Sequence, residues 1–108
     1  MLQSNDDIAE LVSQAFSHDG ALLVHETELG PAFFDLRTRL AGELFQKFMN
    51  YGLRLAIVVA KPEQYGERFR ELAFEHRNHG NIRFFPDAGQ AGQWLTRAAH
   101  RNVSGGTT

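Results

Sequence analysis

Residues 53–59 read LRLAIVV, and this run decides the fold. Every residue in it except Arg54 is apolar, so both faces of a strand built from it would be apolar. Strands with this pattern are typical of parallel sheets, in which both faces of the sheet are covered. We therefore predict a buried central strand in a parallel sheet, with helices packed on that sheet.

Two shorter apolar runs of strand length flank this one, at residues 21–24 and 82–85. Each is separated from the central run by a segment that is too long for a hairpin and has helical spacing. Connections of this kind join parallel strands by right-handed crossovers. We predict a small, mainly parallel sheet whose outer strands leave two exposed edges.

Four helices are predicted around this sheet from apolar residues that recur at helical spacing. Ser4 and Asp7 resemble a capping box before the first helix, and Pro31 suits the first turn of the second. Asp87 is placed to cap the last helix. The predicted helices cover about residues 5–17, 31–50, 65–78 and 88–98. The fold class is therefore α/β, with the element order α-β-α-β-α-β-α.

Length and composition bound the organisation of the chain. Its 108 residues, of which 43% are hydrophobic, suffice for one core and fall short of two. We expect a single α/β domain over residues 1–101. Beyond that point the apolar pattern is lost, and residues 102–108 are predicted to form a disordered tail.

Charge and cysteine content lower the expectation of several function classes. The net charge of −2 creates no field that favours nucleic acid or an anionic membrane. The chain has no cysteine, which removes disulfides, thiolate catalysis and zinc sites built on sulfur. Its longest apolar run, Leu55–Ala60, is far shorter than the roughly 20 residues of a membrane span. We expect a cytoplasmic protein without nucleic-acid or membrane partners.

Polar residues gather where the first strand ends, in the sequence HETE at 25–28. In open α/β sheets, ligands bind beyond the carboxyl ends of the strands. His25 and Glu26 could therefore serve as a general base with its carboxylate partner, or as two metal ligands. Because consecutive strand residues point to opposite faces, a solvated loop at the strand end is the favoured interpretation.

The second predicted helix carries a dense set of charges. Arg37 could bind a phosphate or carboxylate, or lay its stem over the core, and Thr38 lies beside it nearer the apolar face. Other charged residues of this helix, spaced by four, are predicted to form a ladder of ion pairs on a solvated face. The members of this ladder are Asp35, Arg39, Glu43 and Lys47.

Motifs for a metal or cofactor are missing from the sequence. His76 and His79 stand three residues apart at a predicted helix end, without a third ligand nearby. Gly89 and Gly92 lack the third glycine of a dinucleotide fingerprint, and the chain has neither a phosphate-binding loop nor a nucleophile elbow. We expect no cofactor and no metal, and the sequence leans away from an enzyme.

Three segments carry a resemblance to a known family. They resemble the bacterial domain-of-unknown-function family 4180, whose members share the motif Phe-Phe-x-Leu-[Lys/Arg]-Thr-Gly-Leu-Ala-Gly. Arg39 departs from this motif, because the family usually has glycine there. The resemblance also implies a chain that lacks the strand pair with which family members usually begin, and it implies no activity. The three segments are FFDLRTRLAGELFQKFMNYGLRLAIV (33–58), GERFRELAFEHRNHGNIRFF (66–85) and DAGQAGQWL (87–95).

More distantly, the order of elements is similar to that of the STAS domains of anti-sigma-factor antagonists and anion transporters. In those domains a strand leads through a short loop, which carries a phosphorylatable serine, into a helix. Thr38 stands near the position of that serine. The resemblance implies a regulatory module in which Thr38 is a candidate for phosphorylation.

Three functions from different classes fit this sequence. The favoured one is a non-catalytic interaction or regulatory module that forms a homodimer and binds a protein partner, because the sheet edge is exposed and the chain has nine phenylalanines. The second is a small-molecule or anion-binding domain at the rim of the strands, and the third is an enzyme with an acid–base group at His25 or Glu26. The candidate binding residues are His25, Glu26, Arg37, Thr38 and Arg39.

Overall fold

A computed structural model describes residues 2–77 and 79–107, with side chains for residues 2–4, 6–77 and 79–97. Helices and strands alternate along this part of the chain, and two 3₁₀ turns join them. The elements are α1 (Asn5–Ser17), β1 (Ala21–His25), α2 (Glu26–Leu29), α3 (Pro31–Phe34), a 3₁₀ turn (Leu36–Thr38), α4 (Leu40–Asn50), β2 (Arg54–Val58), a second 3₁₀ turn (Pro62–Tyr65), α5 (Glu67–Glu75), β3 (Ile82–Phe85) and α6 (Ala88–Thr107).

The three strands form one parallel sheet in the order β1-β2-β3. Ala21 of β1 lies opposite Arg54, and Leu55 lies opposite Ile82 of β3. The run LRLAIVV therefore supplies the central strand, as its pattern predicts. The α/β fold class with a small parallel sheet is confirmed, and no strand precedes α1 in the described part of the chain.

Both faces of β2 are buried, which explains why its residues are apolar at every position from 55 to 58. Leu55 and Ile57 point into the larger core, on the side of the sheet covered by α1, α4 and α5. Ala56 and Val58 point to the opposite side and pack with residues of α6. The protein thus has a three-layer arrangement with helices on each side of the sheet.

The larger core is built around phenylalanines. Phe33, Phe48 and Phe69 are all fully buried, and the rings of Phe33 and Phe69 meet edge to face with centroids 6.1 Å apart. The smaller core on the other face centres on Trp94 of α6, whose ring lies 5.7 Å from that of Phe85. Two cores of unequal size therefore hold the single sheet.

Several boundaries predicted from the sequence are confirmed. The first helix and the third strand have the predicted limits, and β1 is longer than predicted by one residue, His25. Asp7 caps α1, since its Oδ2 accepts hydrogen bonds from the backbone N–H groups of Gln3 at 2.8 Å and Ser4 at 3.1 Å. At the last helix, Asp87 Oδ1 accepts the N–H of Gln90 at 2.8 Å, which is the predicted cap.

The prediction of one continuous helix over residues 31–50 is wrong. The chain leaves the helical conformation at Asp35 and again at Arg39, whose φ of 63° lies in the left-handed region. Asp35 Oδ1 accepts the N–H of Arg37 at 3.0 Å, and Thr38 Oγ1 accepts the N–H of Leu40 at 3.3 Å. Short polar side chains here bind backbone groups that a helix would otherwise use, and they break it into two helices and a 3₁₀ turn.

The predicted ladder of ion pairs is wrong as a consequence. Asp35 pairs with Arg37 instead of Arg39, and Arg39 precedes α4 rather than lying inside a helix. Glu43 and Lys47 lie one turn apart on α4, but no ion pair joins them in the part of the chain that the structure describes. The four charges therefore do not form a unit.

The predicted helix over residues 65–78 is also shorter than expected. It begins only at Glu67, because Gly66 has a φ of 102°, which separates α5 from the preceding 3₁₀ turn. The helix ends at Glu75, and its predicted end at Asn78 lies outside the described residues. The interruption at Gly66 places Tyr65 in a turn, where its side chain reaches the rim of the sheet.

The carboxyl-terminal end of the chain bears on two expectations. Helix α6 extends to Thr107, but the side chains of residues 98–107 and the whole of Thr108 lie outside the described set. The disordered tail expected at 102–108 therefore stays a prediction, as does the single domain over residues 1–101. Among the described helices, none combines the length and apolar character that crossing a membrane requires.

Candidate functional site

The carboxyl ends of the three parallel strands meet at one edge of the sheet, which we call the rim. His25 ends β1, Val59 and Ala60 follow β2, and Pro86 follows β3. Phe85 O accepts the N–H of Val59 at 2.9 Å, so the strand ends stay joined at this edge. The parallel pairing thus brings together the three loops in which sequence analysis expects a ligand.

Glu26 is the polar residue that joins the rim. It begins α2, directly after β1, and its Oε2 accepts the backbone N–H of Ala60 at 3.0 Å. Its Oε1 accepts a short hydrogen bond from the hydroxyl of Tyr65. One carboxylate therefore connects the ends of β1 and β2 to the turn before α5, and both of its oxygens are engaged.

Tyr65 is held by aromatic contacts as well as by that hydrogen bond. Its ring stacks on Phe34 with centroids 3.7 Å apart and planes at 8°, and it meets Phe69 edge to face at 5.6 Å. The hydrogen bond to Glu26, followed by burial and by the Glu26 charge, raises the pKa of Tyr65 to about 12. The phenol therefore stays protonated near neutral pH and acts as a donor rather than a base.

A groove of about 770 Å³ opens beside this pair, between α3 with its following 3₁₀ turn and the start of α5. We call it the rim groove. Its floor is aromatic and its edges carry charges of both signs. The lining residues are Pro31, Phe34, Asp35, Leu36, Arg37, Tyr65, Gly66, Glu67, Arg68 and Phe69.

His25 and Glu26 do not form an acid–base pair. His25 is exposed, and its backbone N–H donates to Glu28 Oε2 at 3.4 Å. No hydrogen bond joins the imidazole to the Glu26 carboxylate in the described residues, since that carboxylate is engaged by Ala60 and Tyr65. The arrangement agrees with the expectation that neighbouring strand residues diverge.

Arg37 lines the rim groove, but its guanidinium is paired within its own turn. Its Nε and Nη2 donate to the two oxygens of Asp35, each at 3.0 Å. This hydrogen bonding lowers the pKa of the Asp35 carboxyl and raises the pKa of Arg37. The Arg37 side chain is 91% exposed, so its remaining donors face solvent and are open to a ligand.

Thr38 and Arg39 have structural positions in the same loop. Thr38 Oγ1 lies 2.8 Å from the carbonyl oxygens of both Ala32 and Asp35, and its one hydroxyl hydrogen is shared between them. Its hydroxyl thereby ties the end of α3 to the 3₁₀ turn. Arg39 adopts the left-handed conformation that glycine enters without strain, which gives a backbone reason for the glycine of the resembled family.

The two histidines near β3 contact backbone groups around them. His79 Nδ1 accepts hydrogen bonds from the N–H groups of Asn81 at 3.0 Å and Ile82 at 3.1 Å, so this nitrogen is engaged. Burial, and then the charges of His76 and Arg83, lower the pKa of His79. In the described part of the chain, no group of three or more potential ligands is placed to hold a metal ion.

A second surface lies at the opposite end of the sheet, where α1 and α4 end. Phe16 and Tyr51 are 57% and 55% exposed there, and their rings meet edge to face at 5.6 Å. Beside them a groove of about 500 Å³ runs between the two helices. We call the aromatic pair and the groove together the α1–α4 surface. The groove is lined by Ile8, Ala9, Val12, Glu43, Gln46, Lys47, Asn50 and Tyr51.

Sequence reasoning missed two residues of the rim groove, Tyr65 and Arg68. It placed both in one predicted helix, because the apolar spacing continues through Gly66. The only local signal was the pair Pro62 and Gly66, which bracket the 3₁₀ turn that presents Tyr65. The groove brings both close to residues that are distant in the chain, and Tyr65 is 39 residues from its hydrogen-bond partner Glu26.

Comparison with known proteins assigns the chain to one family. It belongs to the family described as Domain of unknown function (DUF4180), whose family model matches residues 1–95. No curated protein and no solved structure matches the chain. The matched region covers both the rim groove and the α1–α4 surface. The likeness to STAS domains is not shown by these comparisons and stays an analogy in the order of elements.

Proposed function

We propose that this member of the family is a non-catalytic interaction module that self-associates through its α1–α4 surface and works as a regulatory component in the cytoplasm. The observation that carries the proposal is a protruding aromatic pair next to a groove on the same face of the molecule. In a two-fold dimer each copy presents the same patch, so a protrusion and a groove side by side make the patch self-complementary.

The chemistry of the α1–α4 surface supports this use. Phe16 and Tyr51 are large aromatic side chains of the kind enriched at the centre of protein interfaces. The groove has an apolar wall from α1, which includes Ile8 and Val12, and a polar wall from α4. Glu43 and Lys47 on the polar wall bring opposite charges that a two-fold axis can pair across the interface.

The sheet edge supports self-association less well. In the described part of the chain, β1 and β3 each pair only with β2, so both are edges. However, β3 has only four residues and one of them is Arg83. Short edge strands with charged side chains are features that hinder pairing between sheets. We therefore assign the contact to the α1–α4 surface.

The catalytic alternative has less support from the rim. Each carboxylate oxygen of Glu26 already accepts a hydrogen bond, one from Ala60 and one from Tyr65, which gives the group a structural role at the rim. His25 is exposed and has no hydrogen bond to Glu26 among the described residues. A non-catalytic role for Glu26 keeps its hydrogen bonds with Ala60 and Tyr65 as they stand in the structure.

Sedimentation velocity over a range of protein concentrations tests the proposal. The wild-type protein is expected to form a dimer, and the double variant Phe16→Ser, Tyr51→Ser is expected to raise the dimer dissociation constant at least about tenfold. Both side chains are largely exposed, so the variant should keep its fold, which circular dichroism checks. Phe74→Ser is the matched control, because Phe74 is 61% exposed on α5, outside this surface.

The outcomes separate the possible contacts. A wild-type protein that stays monomeric at high concentration contradicts self-association altogether. A double variant that dimerises as the wild type does contradicts the assignment to the α1–α4 surface. Hydrogen exchange then shows whether dimerisation protects the amides of β3 instead, which would place the contact at the sheet edge.

A further inference from the structure

The rim groove combines an apolar floor with edges that carry two arginines and two carboxylates. Phe34 and Phe69 form the floor together with the ring of Tyr65, which stacks on Phe34. Leu36 adds an aliphatic side wall. The volume of about 770 Å³ lies within the range of roughly 300–1,000 Å³ that is typical of small-molecule sites.

The charges around the groove are unequal once their pairing is considered. The Asp35 carboxylate accepts two hydrogen bonds from the Arg37 guanidinium and one from the Arg37 backbone N–H, and Glu67 pairs with Arg70 at 3.5 Å. Arg68 lines the groove and has no ion pair in the described residues. Arg68 and the exposed donors of Arg37 are therefore available to an anion, whereas the carboxylates of Asp35 and Glu67 already have cationic partners.

We infer that the rim groove binds a small organic acid, with the carboxylate at Arg68 and Arg37 and an aromatic or aliphatic body on the Phe34–Tyr65–Phe69 floor. Guanidinium groups match carboxylate geometry through paired hydrogen bonds. The apolar floor favours a ligand with an apolar body, because that body is removed from water on binding. This site lies apart from the α1–α4 surface, so the inference does not depend on self-association.

Titration followed by two-dimensional NMR tests the inference on the full-length protein. The probe is 4-phenylbutyrate, which has a carboxylate, a short chain and an aromatic ring. It is expected to shift the amide signals of Leu36, Tyr65 and Gly66 in a saturable way. Two matched probes remove one feature each: 4-phenylbutylamine replaces the anion by a cation, and butyrate lacks the ring. Both are expected to bind at least about tenfold more weakly.

Two arginine variants locate the carboxylate. Arg68→Gln should weaken binding of 4-phenylbutyrate about tenfold, because it removes a charged hydrogen-bond donor. Arg77→Gln is the matched control just after the same helix, since Arg77 lies outside the groove with its guanidinium 3.8 Å from the ring centroid of Phe74. Both residues are exposed, so neither change should affect folding.

Four results would overturn the inference. The first is that 4-phenylbutyrate leaves the signals of the groove unchanged up to its solubility limit. The second is that the amine binds as tightly as the acid, and the third is that butyrate does so. The fourth is that Arg77→Gln weakens binding as much as Arg68→Gln, which would show a general effect of charge instead of a site.

Discussion

Glu26 and Asp35 lie in the same polar stretch, on either side of α3, yet they have opposite relations to the fold. The partners of Glu26, Ala60 and Tyr65, are 34 and 39 residues away along the chain. Asp35 binds Arg37, two residues away. The first carboxylate joins three distant segments, and the second shapes only its own turn. Closeness in the sequence therefore did not identify which carboxylate organises the rim.

The largest expected effect comes from removing the Glu26 carboxylate. Glu26→Ala leaves the N–H of Ala60 and the hydroxyl of Tyr65 without their acceptor, and a partly buried polar group without a partner costs about 1–3 kcal/mol. We expect the free energy of unfolding to fall by about that amount in urea denaturation. Glu26→Gln keeps one acceptor oxygen and should lose less.

The matched change at the other carboxylate is Asp35→Asn. Asp35 is bonded only within its turn, and its pair with Arg37 is exposed to solvent, where ion pairs contribute little. The loss of stability should therefore be clearly smaller than for Glu26→Ala. Equal losses for the two variants would contradict the distinction between the long-range and the local carboxylate.

A change of intermediate size is expected at Arg39, which follows the local turn. The φ of 63° at Arg39 strains any residue that has a Cβ atom. Glycine relieves this strain, but its greater freedom in the unfolded chain offsets part of the gain. Arg39→Gly should therefore raise the free energy of unfolding by about 0.5–1 kcal/mol. Thermal and urea unfolding both measure it. Arg39→Ala removes the side chain but keeps the backbone strain, so it should not stabilise the protein as Arg39→Gly does. Equal stabilisation by the two variants would contradict the backbone explanation.

A further effect concerns alkaline pH and tests the long-range cluster directly. The pKa of Tyr65 is raised from 10.0 to about 12, so the folded protein holds this proton more tightly than the unfolded chain does. The stabilisation is fully present below pH 10 and is lost as the pH rises through about 12. Phenolate absorbance should show a late-titrating tyrosine that Tyr65→Phe removes. An unchanged titration curve in that variant would show that Tyr65 is not the perturbed group.

Much of the fold follows from local patterns in the sequence. The apolar run LRLAIVV predicted the buried central strand, and Asp7 and Asp87 marked the starts of two helices correctly. The helix boundaries failed where backbone conformation changed without any change in apolar spacing. Arg39 and Gly66 both have positive φ, and Arg39 is a residue type that gives little warning of it.

The position of the rim follows from the sequence, but the contacts made there do not. Parallel strands put their carboxyl ends on one edge, so the rim itself could be located from the element order. Among the five candidate residues, His25 and Glu26 lie at the rim and Arg37 lines the rim groove, whereas Thr38 and Arg39 stabilise or strain their own loop. Tyr65 and Arg68 were missed because their roles depend on segments that only folding brings near.

The sequence by itself determined the three strands, their parallel arrangement and the approximate positions of the main helices, because apolar periodicity and connection length are local properties of the chain. The tertiary structure alone decided which polar groups meet. Glu26 reaches Tyr65 across 39 residues because the register of β1 against β2 and the turn before α5 set the distance between them. Packing in three dimensions fixes such distances, and no spacing in the sequence encodes them.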